Sequence, residues 1–229
     1  MFPQAYQEGA IAEMADSHLK SNICYGLLQA SELGPGARAA LSGCAMVPRL
    51  AAIRIADDTP TDFLLERVVR TLQDEGRTVA GFIQRQGCQD LSGHAEMLLE
   101  EIPSGRRFCI SQSLGKDARG CRLDPRAVAE IAGPFLGAIE SRPDLLVINR
   151  FGKGESEGQG FRTVLEKAFM LDIPVLTSVK EAYVDAWEAF ADSCAASLPD
   201  TLEDVLDWAR NAVANQAKDR AQCEELRRG

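Results

Sequence analysis

This chain of 229 residues is poor in the residues and motifs by which most activities announce themselves. It has two histidines (His18 and His94), two tryptophans and three tyrosines. No apolar run approaches the ~18–20 residues of a membrane span. Acids outnumber bases, 34 to 25, for a net charge of −9 and a pI near 4.9. That balance disfavours general binding to nucleic acid or to anionic membrane. Residues 1–20 hold Glu8, Glu13 and Asp16, with no basic stretch leading into an apolar one, and do not read as a secretory signal. The cysteines (Cys24, Cys44, Cys88, Cys109, Cys121, Cys194 and Cys223) are odd in number, scattered, and contain no Cys-x-x-Cys. They predict mostly reduced thiols in a cytoplasmic protein. Cys88, His94 and Cys121 match no standard zinc spacing.

Several catalytic motifs are also missing. Gly154-Glu155-Ser156-Glu157-Gly158 has the letters of a nucleophile elbow, but Ser156 lies seven residues past Asn149, the expected end of its strand. An elbow serine sits directly between strand and helix, with its histidine following in sequence. Both histidines here precede Ser156, so the match is rejected. The first strand-to-helix turn, Ala56-Asp57-Asp58-Thr59-Pro60, has two acids and neither glycine nor lysine. It is not a phosphate-cradling P-loop, and no G-x-G-x-x-G follows a strand. Where a magnesium–nucleotide hydrolase would end its buried strand in a metal-holding carboxylate, this chain has Asn149-Arg150.

What is present is globular: 45% hydrophobic and 26% charged residues, enough for a core without staples. Residues 1–48 stand apart, with a helix expected over Ala5–Lys20, a break at Gly34-Pro35-Gly36, and Pro48 closing the segment. They are read as a helical extension for docking or self-association, and 49–229 as one α/β domain. Strands are expected at Ala51–Ile55, Thr78–Gln84, Arg107–Gln112, Asp144–Asn149 and Ile173–Val179, the last two buried on both faces. A helix capped by Thr59-Pro60 carries Leu64, Leu65, Val68, Val69 and Leu72 on one side and stops at Gly76. Asp124-Pro125 repeats the cap-then-proline signal, with Gly133-Pro134 expected to bend that helix. Gln86–Gly105 reads as a short helix or an excursion. A further helix runs through Phe161–Phe169, and two more close the chain, through Tyr183–Phe190 and Leu202–Ala209. Strands alternating with helices predict a three-layer α/β/α fold with a mostly parallel sheet.

Ligands of such folds bind at the carboxyl ends of the strands, and two loops there carry the chemistry. Residues 106–126 hold six bases (Arg106, Arg107, Lys116, Arg119, Arg122 and Arg126) against Asp117 and Asp124. Residues 149–160 hold four glycines with Arg150 and Lys153. Glycines let backbone N–H groups converge, arginine supplies a planar fork of donors, and lysine a point charge. The expected anion contacts are Arg150, Lys153, Arg122, Gln84, Ser111, Gln112, Asn149 and Gly152, supported by Asp124, Glu155 and Glu157. The plainer alternative is that Arg150 pairs with Glu155 or Glu157 and serves stability alone.

Gly81-Phe82-Ile83-Gln84-Arg85, Ile110-Ser111-Gln112, Gly120-Cys121-Arg122-Leu123-Asp124-Pro125, Asn149-Arg150-Phe151-Gly152-Lys153 with Glu155 and Glu157–Gly160, and Ile173-Pro174-Val175-Leu176-Thr177 occur in that order. Together they resemble the bacterial family catalogued as domain of unknown function 2478, over about Ala51–Trp208. The resemblance implies an architecture like that of P-loop nucleoside triphosphatases without the phosphate loop, and a link to molybdenum metabolism. The leading expectation is a cytoplasmic oxyanion-binding accessory protein without turnover, taking molybdate, tungstate or a phosphate-containing ligand. The alternatives are an atypical nucleotide-binding hydrolase or phosphotransferase, and a regulatory module that binds a protein partner or a second copy through 1–48.

Overall fold

A computed structural model describes residues 47–56, 61–89, 95–112, 122–192 and 195–228. Its compact unit begins at Val47, which packs under the core, while the Pro48 carbonyl accepts from Trp208 Nε1 at 3.1 Å. The helix expected over Ala5–Lys20 lies outside the described residues, as do Thr59, Pro60 and His94.

The strands are β1 (Leu50–Ile55), β2 (Val79–Gln89), β3 (Ala95–Glu101), β4 (Arg107–Cys109), β5 (Leu145–Phe151), β6 (Val175–Lys180) and β7 (Ala195–Leu198). The helices are α1 (Asp62–Asp74), α2 (Pro125–Ile139), α3 (Lys153–Ser156), α4 (Arg162–Met170), α5 (Val184–Ala191) and α6 (Leu202–Arg228). One seven-stranded sheet has the order β4-β3-β2-β5-β6-β1-β7. The five strands from β2 to β7 are parallel, and β3 and β4 add an antiparallel wing. The expected three-layer α/β/α architecture is present.

Period-2 alternation assigns each strand residue to a layer. Leu146 and Ile148 face Val128, Phe135, Leu165 and Trp187 of α2, α4 and α5. Leu145 and Val147 face Leu65, Val69, Val205 and Ala209 of α1 and α6. The buried stripe of α1 is Leu65, Val68, Val69 and Leu72, as its spacing predicts. Gly76, at φ +77°, ends that helix, with the Arg77 N–H returning to the Leu72 carbonyl. Asp124 caps α2 as expected, accepting from the backbone N–H of Arg126 at 2.9 Å.

Two expectations are corrected. Gln86–Gly105 is a hairpin rather than a helix, because β2 runs on to Gln89 and pairs antiparallel with β3. Its outer strands carry polar residues on both sides, which hides the period, yet Leu99 is buried against the Phe82 layer. The helix α2 runs from Pro125 to Ile139 with Pro134 inside it. Between the two terminal helices the chain inserts β7, a short Ala-rich edge strand that only pairing with β1 identifies.

Candidate functional site

The connection leaving β1 passes through α1 to reach β2, on one side of β1 and one face of the sheet. The connection leaving β6 passes through α5 to β7, on the other side and the opposite face. Neighbouring β1 and β6 therefore form the point where chain direction reverses, and a crevice opens outside their carboxyl ends. The amino end of α1 and the last residues of β5 border it.

There β5 carries a bulge. Ile148 pairs with Thr177 and Phe151 with Val179, so β5 spends one residue more than β6 across Asn149-Arg150. The extra residue lets Ile148 and Phe151, three positions apart, enter the same core layer. Asn149 is buried, and its Oδ1 accepts from the Gln84 N–H at 3.1 Å as β2 and β5 part. Its carbonyl accepts from Ser178 Oγ at 2.6 Å. With Oδ1 fixed on Gln84, the amide nitrogen Nδ2 is a buried donor without a partner. Arg150 Nε is likewise buried and without a partner. Two consecutive residues thus present unsatisfied donors, which native interiors rarely tolerate.

Glu155 holds the loop beneath them. It is buried, and its two oxygens accept from the backbone N–H groups of Gly152 and Phe161, each at 3.0 Å. Gly158 and Gly160 take φ values of +81° and +62°, which turn the chain around that carboxylate. Arg150 pairs with neither Glu155 nor Glu157: Glu157 lies 3.8 Å from Lys153 on the solvent side of α3. The Lys153 side chain is 70% exposed, unlike the buried donors. Ser156 donates to the Lys153 carbonyl at 2.9 Å within α3, consistent with rejecting it as a nucleophile.

The second loop stands apart. Two strands, β3 and β2, separate β4 from β5, so Ser111, Gln112 and Arg122 lie on the wing rather than beside Arg150. Ser111 Oγ accepts from the Met97 N–H at 3.1 Å, Gln112 Nε2 donates to the Leu123 carbonyl at 3.2 Å, and Arg122 Nη1 donates to the Ala95 carbonyl at 3.3 Å. These contacts tie the wing together. Part of the basic excess dissolves as well: Arg106 pairs with Glu101 at 3.1 Å and Arg107 with Glu100 at 2.6 Å, acids just outside the window counted. Lys116 and Arg119 lie outside the described residues.

Glu100 also receives Arg85 at 3.0 Å, and Arg85 reaches Glu66 of α1 at 2.7 Å. The Arg85 hydrogen bond, and then that of Arg107, hold the Glu100 carboxyl below its ordinary value despite partial burial. Burial opposes the charge of Arg85, but the bonds from Glu100 and Glu66 outweigh it and raise its pKa. Cys88 and Cys109 are free, exposed thiols. Among the described residues no cluster of three or more His, Cys, Asp or Glu is placed to hold a metal ion, and no helix is long and apolar enough to cross a membrane.

Sequence reasoning missed two residues at this crevice. Thr61, the N-cap of α1, is buried, makes no side-chain cap bond, and leaves Oγ1 without a partner. Beside it, Asp62 Oδ1 is buried and without a partner. Their one signal in the sequence is an acid in the first helical turn, directly after a turn that lacks the glycine and lysine of a phosphate loop.

Fold and crevice define an α/β domain of the doubly wound kind with a polar site at its switch point. The chain belongs to the family described as "Protein of unknown function (DUF2478)", whose model matches residues 50–208. A curated relative, the molybdenum import ATP-binding protein ModC 2 of Bradyrhizobium diazoefficiens, is 32% identical over 190 residues, covering 78% of this chain. The chain spans about one fifth (21%) of the length of that relative. Among solved structures, a human cancer-related nucleoside triphosphatase is similar at a TM-score of 0.48 and 18% identity, over 72% of this chain and 96% of that one.

Proposed function

We propose that this protein binds a small oxyanion, without turnover, at the crevice beside β5, as an accessory protein connected with molybdenum metabolism. The observation that carries the reading is the pair of buried, unpartnered donors, Arg150 Nε and Asn149 Nδ2, on consecutive residues. Orphaned donors call for an acceptor, and a guanidinium calls for a negatively charged one. The bulge that displaces Arg150 from the β5–β6 register and the Glu155 brace below it are fixed features that preset the donors. The connection with molybdenum rests on the relative's name, and molybdate and tungstate therefore enter the test beside phosphate and sulfate.

The site centres on Arg150 and Asn149, with Gln84 and Glu155 in support; Lys153 serves as a peripheral charge. A nucleotide hydrolase reading has less support, since Glu155 already has both oxygens on backbone donors. One charge-assisted hydrogen bond contributes about 1.5–3 kcal/mol, so Arg150→Ala should weaken oxyanion binding roughly ten- to a hundredfold. Calorimetric titration of the full chain, read beside its melting temperature, tests this. Unchanged affinity with a lowered melting point refutes the site, and a response to ATP with phosphate release instead supports the hydrolase.

A further inference from the structure

The crevice holds acceptors as well as donors, and the mixture speaks to which oxyanion it takes. Five side-chain polar atoms among the described residues are buried without a hydrogen-bond partner: Thr61 Oγ1, Asp62 Oδ1, Asn149 Nδ2, Arg150 Nε and Gln216 Oε1. Gln216 lies at the other edge of the sheet, donating to the Asp172 carbonyl before β6. The remaining four share the carboxyl edge. Thr61 and Asp62 open α1 where it enters over that edge, and Asn149 and Arg150 lie near the carboxyl end of β5. Asn149 belongs to the sheet face that α1 covers, because it continues the alternation of Leu145 and Val147.

The position of the first turn of α1 is set by its next turn. Glu66, one turn after Asp62 on the same side of the helix, reaches Arg85 of β2 at 2.7 Å. The neighbouring Gln84 of β2 is bonded to Asn149. Asp62 therefore lies one turn further towards the crevice than a contact already made with the β2–β5 pair. Thr61 is 1% and Asn149 4% exposed, so both are withheld from water that could satisfy them.

Resting on the reading of Arg150 and Asn149 as anion contacts, and making phosphate rather than molybdate the ligand of that accessory protein, we infer that the site selects a tetrahedral oxyanion that carries a proton, inorganic phosphate, over fully deprotonated ones. Arg150 and Asn149 are donors and suit any of these anions. The carboxylate of Asp62 only accepts, and Thr61 hydroxyl can do either. Near neutral pH phosphate retains a proton and can donate it to Asp62 Oδ1 while accepting from Arg150 and Asn149. Sulfate, molybdate and tungstate have lost both protons. Against them Asp62 Oδ1 would stay an unpaired buried acceptor facing an oxygen that has no proton to donate. A site built to bond a hydroxyl discriminates strongly against an analogue that lacks it, because the site's own polar group is left orphaned.

The test is calorimetric titration of the full-length chain with inorganic phosphate, sulfate, molybdate and tungstate, for the wild type, Asp62→Asn and Arg150→Ala. Melting temperatures are recorded to confirm folding. The wild type should bind phosphate at least about tenfold more tightly than each of the other three. Asp62→Asn, which replaces the acceptor oxygen by a donor, should collapse that preference, weakening phosphate and strengthening sulfate. Arg150→Ala should weaken all four together. Molybdate or sulfate binding as tightly as phosphate in the wild type overturns the selection, as does a preference that survives Asp62→Asn. If Arg150→Ala alters none of the affinities, or no oxyanion binds, the site itself fails and the selection with it.

Discussion

Glu155→Ala is the perturbation whose size the structure sets most directly. The carboxylate is 8% exposed, and each oxygen accepts one backbone N–H, from Gly152 and from Phe161. Alanine removes both acceptors and leaves two N–H groups in a place water does not reach. An orphaned buried donor costs about 1–3 kcal/mol, so the two together should cost about 2–5 kcal/mol. At roughly 2–4 °C per kcal/mol for a domain of this size, the melting temperature should fall by about 4–20 °C. Glu155→Gln keeps one acceptor oxygen but turns an NH2 towards the other N–H, and should recover only part of the loss. Urea denaturation followed by circular dichroism measures the free energy, and an unchanged m-value shows that the unfolded state is the same. If Glu155→Ala stays within about 0.5 kcal/mol of the wild type, as ordinary surface changes do, the carboxylate is not the brace described. The loop beneath Arg150 must then be held by its glycines alone.

Two further outcomes follow from the same kind of reasoning. Glu100 has its carboxyl lowered from 4.5 by Arg85 first and Arg107 second, so the unfolded chain binds the proton more readily; its contribution is complete above the unfolded pKa and is lost as pH falls through the folded one. Melting curves from pH 6 down to about pH 3 should therefore show Glu100→Gln destabilised at the upper end and converging on the wild type in acid, and parallel curves would disprove the linkage. Gly81 has φ +127°, and a Cβ there would collide with the backbone carbonyl of Val147 on the paired strand β5. Gly81→Ala should cost about 2–4 kcal/mol by forcing β2 and β5 apart, and a denaturation midpoint equal to that of the wild type would refute the close approach.

The sequence by itself determined the fold class, because hydrophobic burial is a local signal. Leu-Leu-Val-Ile at 145–148 can be hidden on both faces only in a covered sheet, and the spacing of Leu65, Val68, Val69 and Leu72 commits α1 to one face. Asp124-Pro125 opened α2 where the cap chemistry requires it. Asn149 and Arg150 were legible as a departure from the carboxylate expected after a buried strand, and Glu155 as a supporting acid. The hairpin β2–β3 and the edge strand β7 were not legible, since their stability comes from partners distant in sequence rather than from their own residues. The membership of the site was a tertiary decision too. Counting bases along the chain placed Arg122 beside Arg150, but the strand order puts β3 and β2 between their loops. Conversely, Thr61 and Asp62, almost ninety residues from Arg150, meet the same sheet edge because α1 starts there. Charge along a sequence is one-dimensional. Which charges share a crevice depends on the order of strands and the direction of each crossover, and those are set by how the two core layers close over the sheet.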